Sequence, residues 1–137
     1  MTHVETYRDE YFEEVKSLWE AAFRMIRPWN RAETVIPAKM ATQPELLLVA
    51  IEAGHVVGSA LAGYDGHRGW LYSVAVGASH QHTDVGSILV RAMEDRLRAL
   101  GCLKINLQVL SLNTELVRFY HSLGYKTEDR ISMGRRL

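Results

Sequence analysis

At 137 residues the chain has the length of one ordinary domain, long enough to bury a core and too short for two comfortable ones, so a single domain over 1–137 is expected. Its 16 basic and 16 acidic residues cancel and no long block of one sign occurs, which argues against a nucleic-acid grip or a polybasic membrane surface and for a small-molecule partner. Cys102 is the only cysteine, so no intrachain disulfide is possible; Met1-Thr2-His3-Val4-Glu5 lacks the apolar core of a signal peptide and no apolar run has membrane-spanning length, so a cytoplasmic protein is expected.

Thr2 to Tyr7 reads as a short strand, and Arg8-Asp9-Glu10 as the cap and acidic first turn of a helix. Phe12, Val15, Leu18, Trp19 and Ala22 continue that helix at amphipathic spacing until Arg27-Pro28-Trp29-Asn30 interrupts it, because proline removes a backbone donor. A second helix over Ala32–Ala41 ends near Gln43-Pro44. Leu46–Ile51 is a continuous apolar run that suits a strand buried on both faces. Ala53-Gly54 then turns the chain into Val56–Ala62, an antiparallel hairpin, and Asp65-Gly66 opens another turn before the strand Trp70–Val76.

Past that strand comes a polar loop, Ser79 to Ser87, running into a helix. Leu89, Met93, Leu97 and Leu100 lie on one face of it, Arg91, Glu94, Asp95 and Arg98 on the other, and Gly101 stands just past its end. Cys102 follows, placed as a buried structural thiol. Lys104–Val109 alternates strictly, with Ile105, Leu107 and Val109 toward the core, and a strand-helix-strand crossover makes it parallel to Trp70–Val76. Ser111–Leu123 is a second crossover helix, with Leu116, Phe119, Tyr120 and Leu123 inward and Gly124 at its end. Tyr125–Leu137 is expected to be a terminal strand pair. The fold class is α+β, close to α/β, with a mixed central sheet flanked by helices.

A polar loop that enters a helix N-terminus offers unpaired backbone N–H groups and the positive end of the helix dipole, a natural cradle for a phosphate. Gln81-His82-Thr83-Asp84-Val85-Gly86 resembles the acyl-CoA-binding loop Gln/Arg-x-x-Gly-x-Gly/Ala of the GNAT (GCN5-related) N-acetyltransferases, with Asp84 in place of the middle glycine. Asn113 followed by Phe119-Tyr120-His121-Ser122-Leu123-Gly124-Tyr125 is similar to that family's Asn…Tyr-x-x-x-Gly-Phe/Tyr ending. Arg27–Asn30 and Gly63–Gly69 resemble a bacterial YpeA-like branch.

The resemblance implies two splayed parallel strands that admit acetyl-CoA as acyl donor. It implies that backbone groups of Val74, Ala75 and Val76 meet the pantetheine arm and that Gln81, His82, Thr83, Asp84, Val85, Gly86 and Ser87 hold the pyrophosphate. Tyr120 falls where the family carries the acid that protonates the leaving thiolate; a core aromatic is the alternative. Asn113 would bind the cofactor or merely cap its helix.

The strand Trp70–Val76 has no carboxylate where many relatives carry a general base. Asp65 and His67 in the preceding turn, or Tyr72 and Ser73 through water, are the substitutes, and His67 reads equally as a solvated turn residue. The acceptor, a small-molecule or peptide amine, is expected to meet Trp29, Asp65, His67, Arg68, Trp70 and Tyr72.

His80-x-His82-x-Asp84 resembles a metal motif of the metallo-β-lactamase fold, but the histidine that follows in that motif is absent and the chain is short for that fold. Two exposed loop histidines and no metal are therefore expected. A homodimer is expected, and the rival to an enzyme is a degenerate acyl-CoA-binding or regulatory module, which Asp84 favours and Tyr120 disfavours.

Overall fold

The computed structural model describes residues 1–23 and 26–137. In chain order the elements are β1 (His3–Thr6), α1 (Phe12–Ala22), α2 (Ala32–Thr42), β2 (Leu47–Glu52), β3 (His55–Tyr64), β4 (Gly69–Val76), α3 (Val85–Ala99), β5 (Ile105–Leu107) and α4 (Thr114–Ser122). The sheet runs β1-β2-β3-β4-β5, antiparallel except between β4 and β5, which pair in parallel as the intervening crossover helix requires.

β2 explains why the sheet is covered on both sides. Leu48 and Ala50 pack into one apolar cluster with Leu89, Met93 and Leu97 of α3, while Leu47, Val49 and Ile51 pack into another with Val15 and Leu18 of α1 and Ile36 of α2. α4 joins the α3 side through Tyr120. Ala53 and Gly54, both at positive φ (51° and 80°), make the tight turn between β2 and β3. Gly69 meets Cys102: a β-carbon at residue 69 would lie 2.7 Å from the buried Cys102 Sγ, which donates to Lys104 O at 3.2 Å.

Several expectations are corrected. No side chain of Arg8-Asp9-Glu10 caps α1; a 3-10 turn at Asp9–Tyr11 precedes it, and Arg8 instead donates to Tyr11 Oη, which donates to Glu5 (both 2.7 Å). Glu94, read as outward-facing, is buried, because Tyr125 beyond the end of α4 covers that flank of α3, and Leu100, read as inward-facing, is 40% exposed, because α3 ends at Ala99 and Leu100 is its C-cap.

The segment after α4 forms no terminal strand pair. Among its residues only Ile131 and Met133 are apolar at strand spacing, and both are exposed, too little to bury a face that would offset ordering a ladder. It is tied to β5 by side chains: Lys104 and Asn106 donate to Glu128 (2.5 and 2.7 Å) and Gln108 to Ser132.

Candidate active site

The site begins with a change of phase along β4. Gly69 N–H donates to Lys104 O on the β5 side at 2.9 Å, so Gly69 and Leu71 turn their backbone groups toward β5. Gly77, also odd-numbered, donates to Val57 O on the opposite side at 2.8 Å. The discrepancy is a β-bulge: Leu61 pairs with Ser73 and Ala62 with Leu71, leaving Tyr72 as the extra residue. Past the bulge it is Val74 and Val76 whose N–H and C=O point to the β5 side. There β5 no longer pairs, since its last partner is Leu71 opposite Leu107. A sheet edge thus opens inside the molecule. Val76 O accepts from Gln81 Nε2 at 2.7 Å, whereas the same ladder gives Ala75's backbone groups to Ser59 of β3 and its buried side chain to the α1–α2 side.

The loop between β4 and α3 lies beyond that edge. Thr83 Oγ1 donates to His80 O at 2.5 Å and accepts weakly from Val85 N at 3.4 Å, which bends the chain into α3, while Val85's own side chain is buried in the core. No described residue accepts from the N–H groups of Gln81, His82, Asp84, Gly86 or Ser87, the last two in the first turn of α3 at the positive end of its dipole. The left-handed residue is His82 (φ 60°), whereas Asp84 has φ −86° and ψ 4°, angles open to any side chain. Asp84 is exposed and makes no side-chain cap; Ser87 Oγ donates to its carbonyl at 2.9 Å.

The loop histidines point elsewhere. His80 is half-buried and its Nε2 bonds Glu52 at the end of β2, holding that carboxyl below its usual range together with Thr2. His82 faces Glu115 of α4 at 3.7 Å. Among the described residues no three His, Cys, Asp or Glu side chains converge.

Tyr120 is buried at the far side of the gap, in one apolar cluster with Val74, Val76 and Leu107, its ring edge-on to Phe119 (5.0 Å) and Tyr125 (5.6 Å). Loss of water pushes its phenol up to about 12, and no described residue hydrogen-bonds its hydroxyl. Asn113 caps α4, Oδ1 accepting from Leu116 N at 3.1 Å. The edge of free amide groups and the loop of free N–H donors fit an amide-bearing arm ending in a pyrophosphate.

The acceptor residues read from the sequence are not gathered in one place. Asp65 Oδ1 accepts from the N–H groups of Arg68 (2.7 Å) and His67 (2.8 Å), which hold its carboxyl below the usual range and make it a turn residue. That turn, with Asp65, His67 and Arg68, stands at the opposite end of β4 from the loop. Tyr72 is 60% exposed and lies over Gly63, with Lys39 Nζ 5.9 Å from its ring centre. Trp29 is exposed and covered by the Arg136 guanidinium 3.3 Å from its ring centre.

The model of the acetyltransferase (GNAT) family matches residues 5–125. An acetyltransferase of Sodalis glossinidius is 40% identical over 135 residues, 98% of this chain and 94% of that one. The chain belongs to the GNAT family. Another relative, an acetyltransferase of Pectobacterium atrosepticum, is 39% identical over 134 residues, with 98% of this chain and 94% of that one covered. GNAT structures share the fold: the PaiA N-acetyltransferase of Thermoplasma acidophilum, solved with coenzyme A, superposes with a TM-score of 0.82 at 19% identity over 96% of this chain and 93% of that one. The aminoglycoside N-acetyltransferase AAC(6')-Iy, also solved with CoA, gives 0.80 at 16% identity over 99% and 95%. As a GNAT N-acetyltransferase the protein takes acetyl-CoA as its acyl donor. Among the described residues no helix is long and apolar enough to cross a membrane.

Sequence reasoning missed Glu94 and Tyr125. Tyr125 Oη donates to Glu94 Oε2 at 2.7 Å across 31 residues of chain, a separation at which no local pattern signals contact.

Proposed function

We propose that this GNAT enzyme transfers the acetyl group directly to a primary amine of a small molecule, peptide or protein within a ternary complex, with Tyr120 as general acid. The observation that carries this reading is the internal edge of Val74 and Val76, freed by the bulge at Tyr72, in one cluster with the unbonded Tyr120 hydroxyl. Acetyl-CoA, when bound, supplies an activated thioester. The free N–H groups of Gln81, His82, Asp84, Gly86 and Ser87 would hold its pyrophosphate, and those of Val74 and Val76 would align the arm and polarise the acyl carbonyl. Tyr120 keeps its proton on Oη through the neutral range and gives it to the departing thiolate. No carboxylate stands on β4, so the proton of the incoming ammonium leaves through water beside Tyr72 and Ser73, with Trp29 and Trp70 on the acceptor side.

A second reading, a regulatory module that binds acyl-CoA poorly, rests on the Asp84 charge among the free N–H groups. Calorimetric titration with acetyl-CoA, followed by a screen of amines for release of the CoA thiol, separates the two. Binding with turnover supports the enzyme, binding without turnover on any amine supports the module, and no binding removes the cradle.

We also propose a homodimer. Leu110, Leu112, Ile131 and Met133 are all more than 80% exposed and lie on the two segments that Gln108 and Ser132 tie together, an apolar surface suited to a second copy.

A further inference from the structure

Glu94 is a carboxylate 8% exposed on the inward flank of α3, and the hydrophobic surroundings would make it costly without partners. It has two. Arg91 Nη1 donates to Oε1 at 2.9 Å and Tyr125 Oη donates to Oε2 at 2.7 Å. Arg91 also reaches across to Leu123 O at 3.1 Å, so the pair grips the turn that ends α4. Tyr125 in turn holds Tyr120 twice: its N–H donates to Tyr120 O at 3.0 Å, and its ring meets the Tyr120 ring edge-on at 5.6 Å. Tyr120 itself has no polar anchor among the described residues, none of which bonds its hydroxyl. Its aim therefore depends on what packs against the ring: Phe119 on one side and Tyr125 on the other.

We propose that Glu94 and Tyr125 are positioning residues for the general acid, Glu94 fixing Tyr125 through its hydroxyl and Tyr125 fixing the orientation of the Tyr120 ring. The inference rests on the reading of Tyr120 as general acid. The cost of a buried charge is then explained by precision: an apolar pair would fill the space, but a short hydrogen bond fixes the ring's rotation as well as its place.

The test is a double-mutant cycle on the full-length protein with its best amine. Tyr120→Phe alone reads the premise: a fall in kcat supports it, and an unchanged kcat removes the acid reading and this inference with it. Given that fall, Glu94→Gln and Tyr125→Phe are each expected to lower kcat about tenfold with KM for acetyl-CoA unchanged, and to change kcat less than about twofold when Tyr120 is already Phe. A merely structural pair would lower kcat equally in both backgrounds, and that result, or an unchanged kcat in either single variant, overturns the proposal while leaving Tyr120 as the acid. Tyr125→Phe keeps the ring and its packing, so it remains informative if Glu94→Gln melts early.

Discussion

Phe119 closes over Gly86: a β-carbon at residue 86 would lie 3.3 Å from Phe119 Cζ and 3.7 Å from Val76 Cγ2. The first turn of α3, the open edge of β4 and the helix bearing Tyr120 therefore meet at a residue that has no side chain. Gly86→Ala gains helix propensity of about 1 kcal/mol and loses a similar amount to the displaced ring, so its melting temperature should stay close to that of the parent. Turnover should nevertheless fall several-fold, because Phe119 flanks Tyr120. A melt unchanged together with an unchanged kcat would show that the contact is only a matter of packing.

Tyr120→Phe should lower kcat by about 10²-fold and leave acetyl-CoA binding intact. It should also alter alkaline stability. The phenol lies at about 10 in the unfolded chain and about 12 in the folded one, so the group's contribution is fully present below pH 10 and is lost as pH rises through 12. The loss amounts to about 3 kcal/mol, and burial likewise raises Tyr7 and Tyr125. Denaturant melts between pH 9 and 12, about the span of those values, should show a shallower decline for Tyr120→Phe. Identical slopes would mean that its hydroxyl is solvated.

Asp84 stands where the family has glycine, and its angles of −86° and 4° remove backbone strain from that difference. Charge and side-chain volume are left, and charge is the larger. Asp84→Gly should bind acetyl-CoA about tenfold more tightly, and Asp84→Asn should match it, since both delete one negative charge beside the pyrophosphate site. The gain should shrink with added salt. Calorimetry that finds Asp84→Gly tighter and Asp84→Asn unchanged would return the argument to backbone freedom.

The dimer surface is checked by Ile131→Arg with Met133→Arg. Light scattering should give a dimer for the parent at micromolar concentration and a monomer for this variant, with the same melting profile at low concentration. A parent that is monomeric already would end the proposal.

The sheet core and the loop were readable because each is written locally. Leu46–Ile51 is apolar without interruption, and Asp84-Val85-Gly86 marks the change from polar loop to helical period. The strand pair after Tyr125 was misread because two apolar residues at the right spacing look like a strand whether or not a partner face exists. Asn113 was legible as a cap from its residue type, and Leu116 N is where its side chain goes. His80 looked like a solvated loop residue; its partner Glu52 lies 28 residues back, on another strand. Glu94 was hidden for the same reason, since a helical wheel reports periodicity and says nothing of which second helix will cover the polar flank.

The bulge at Tyr72 also constrains how this gene can change. Side chains and backbone groups of a strand alternate with a period of two, and the single extra residue between Leu71 and Ser73 moves the gap-facing set from odd-numbered to even-numbered residues and bends the strand. Substitution at Tyr72 leaves that phase intact, because the residue count is unchanged. Deleting one codon there would make the ladder regular, with Ser73 still opposite Leu61 and Val74 opposite Ala60, so the valine amides would keep their phase and β4 would lose the bend of the bulge where it parts from β5. Surviving descendants should therefore keep the number of residues between Gly69 and Gly77, a length rule set by the bulge itself and not by the side chain that occupies it.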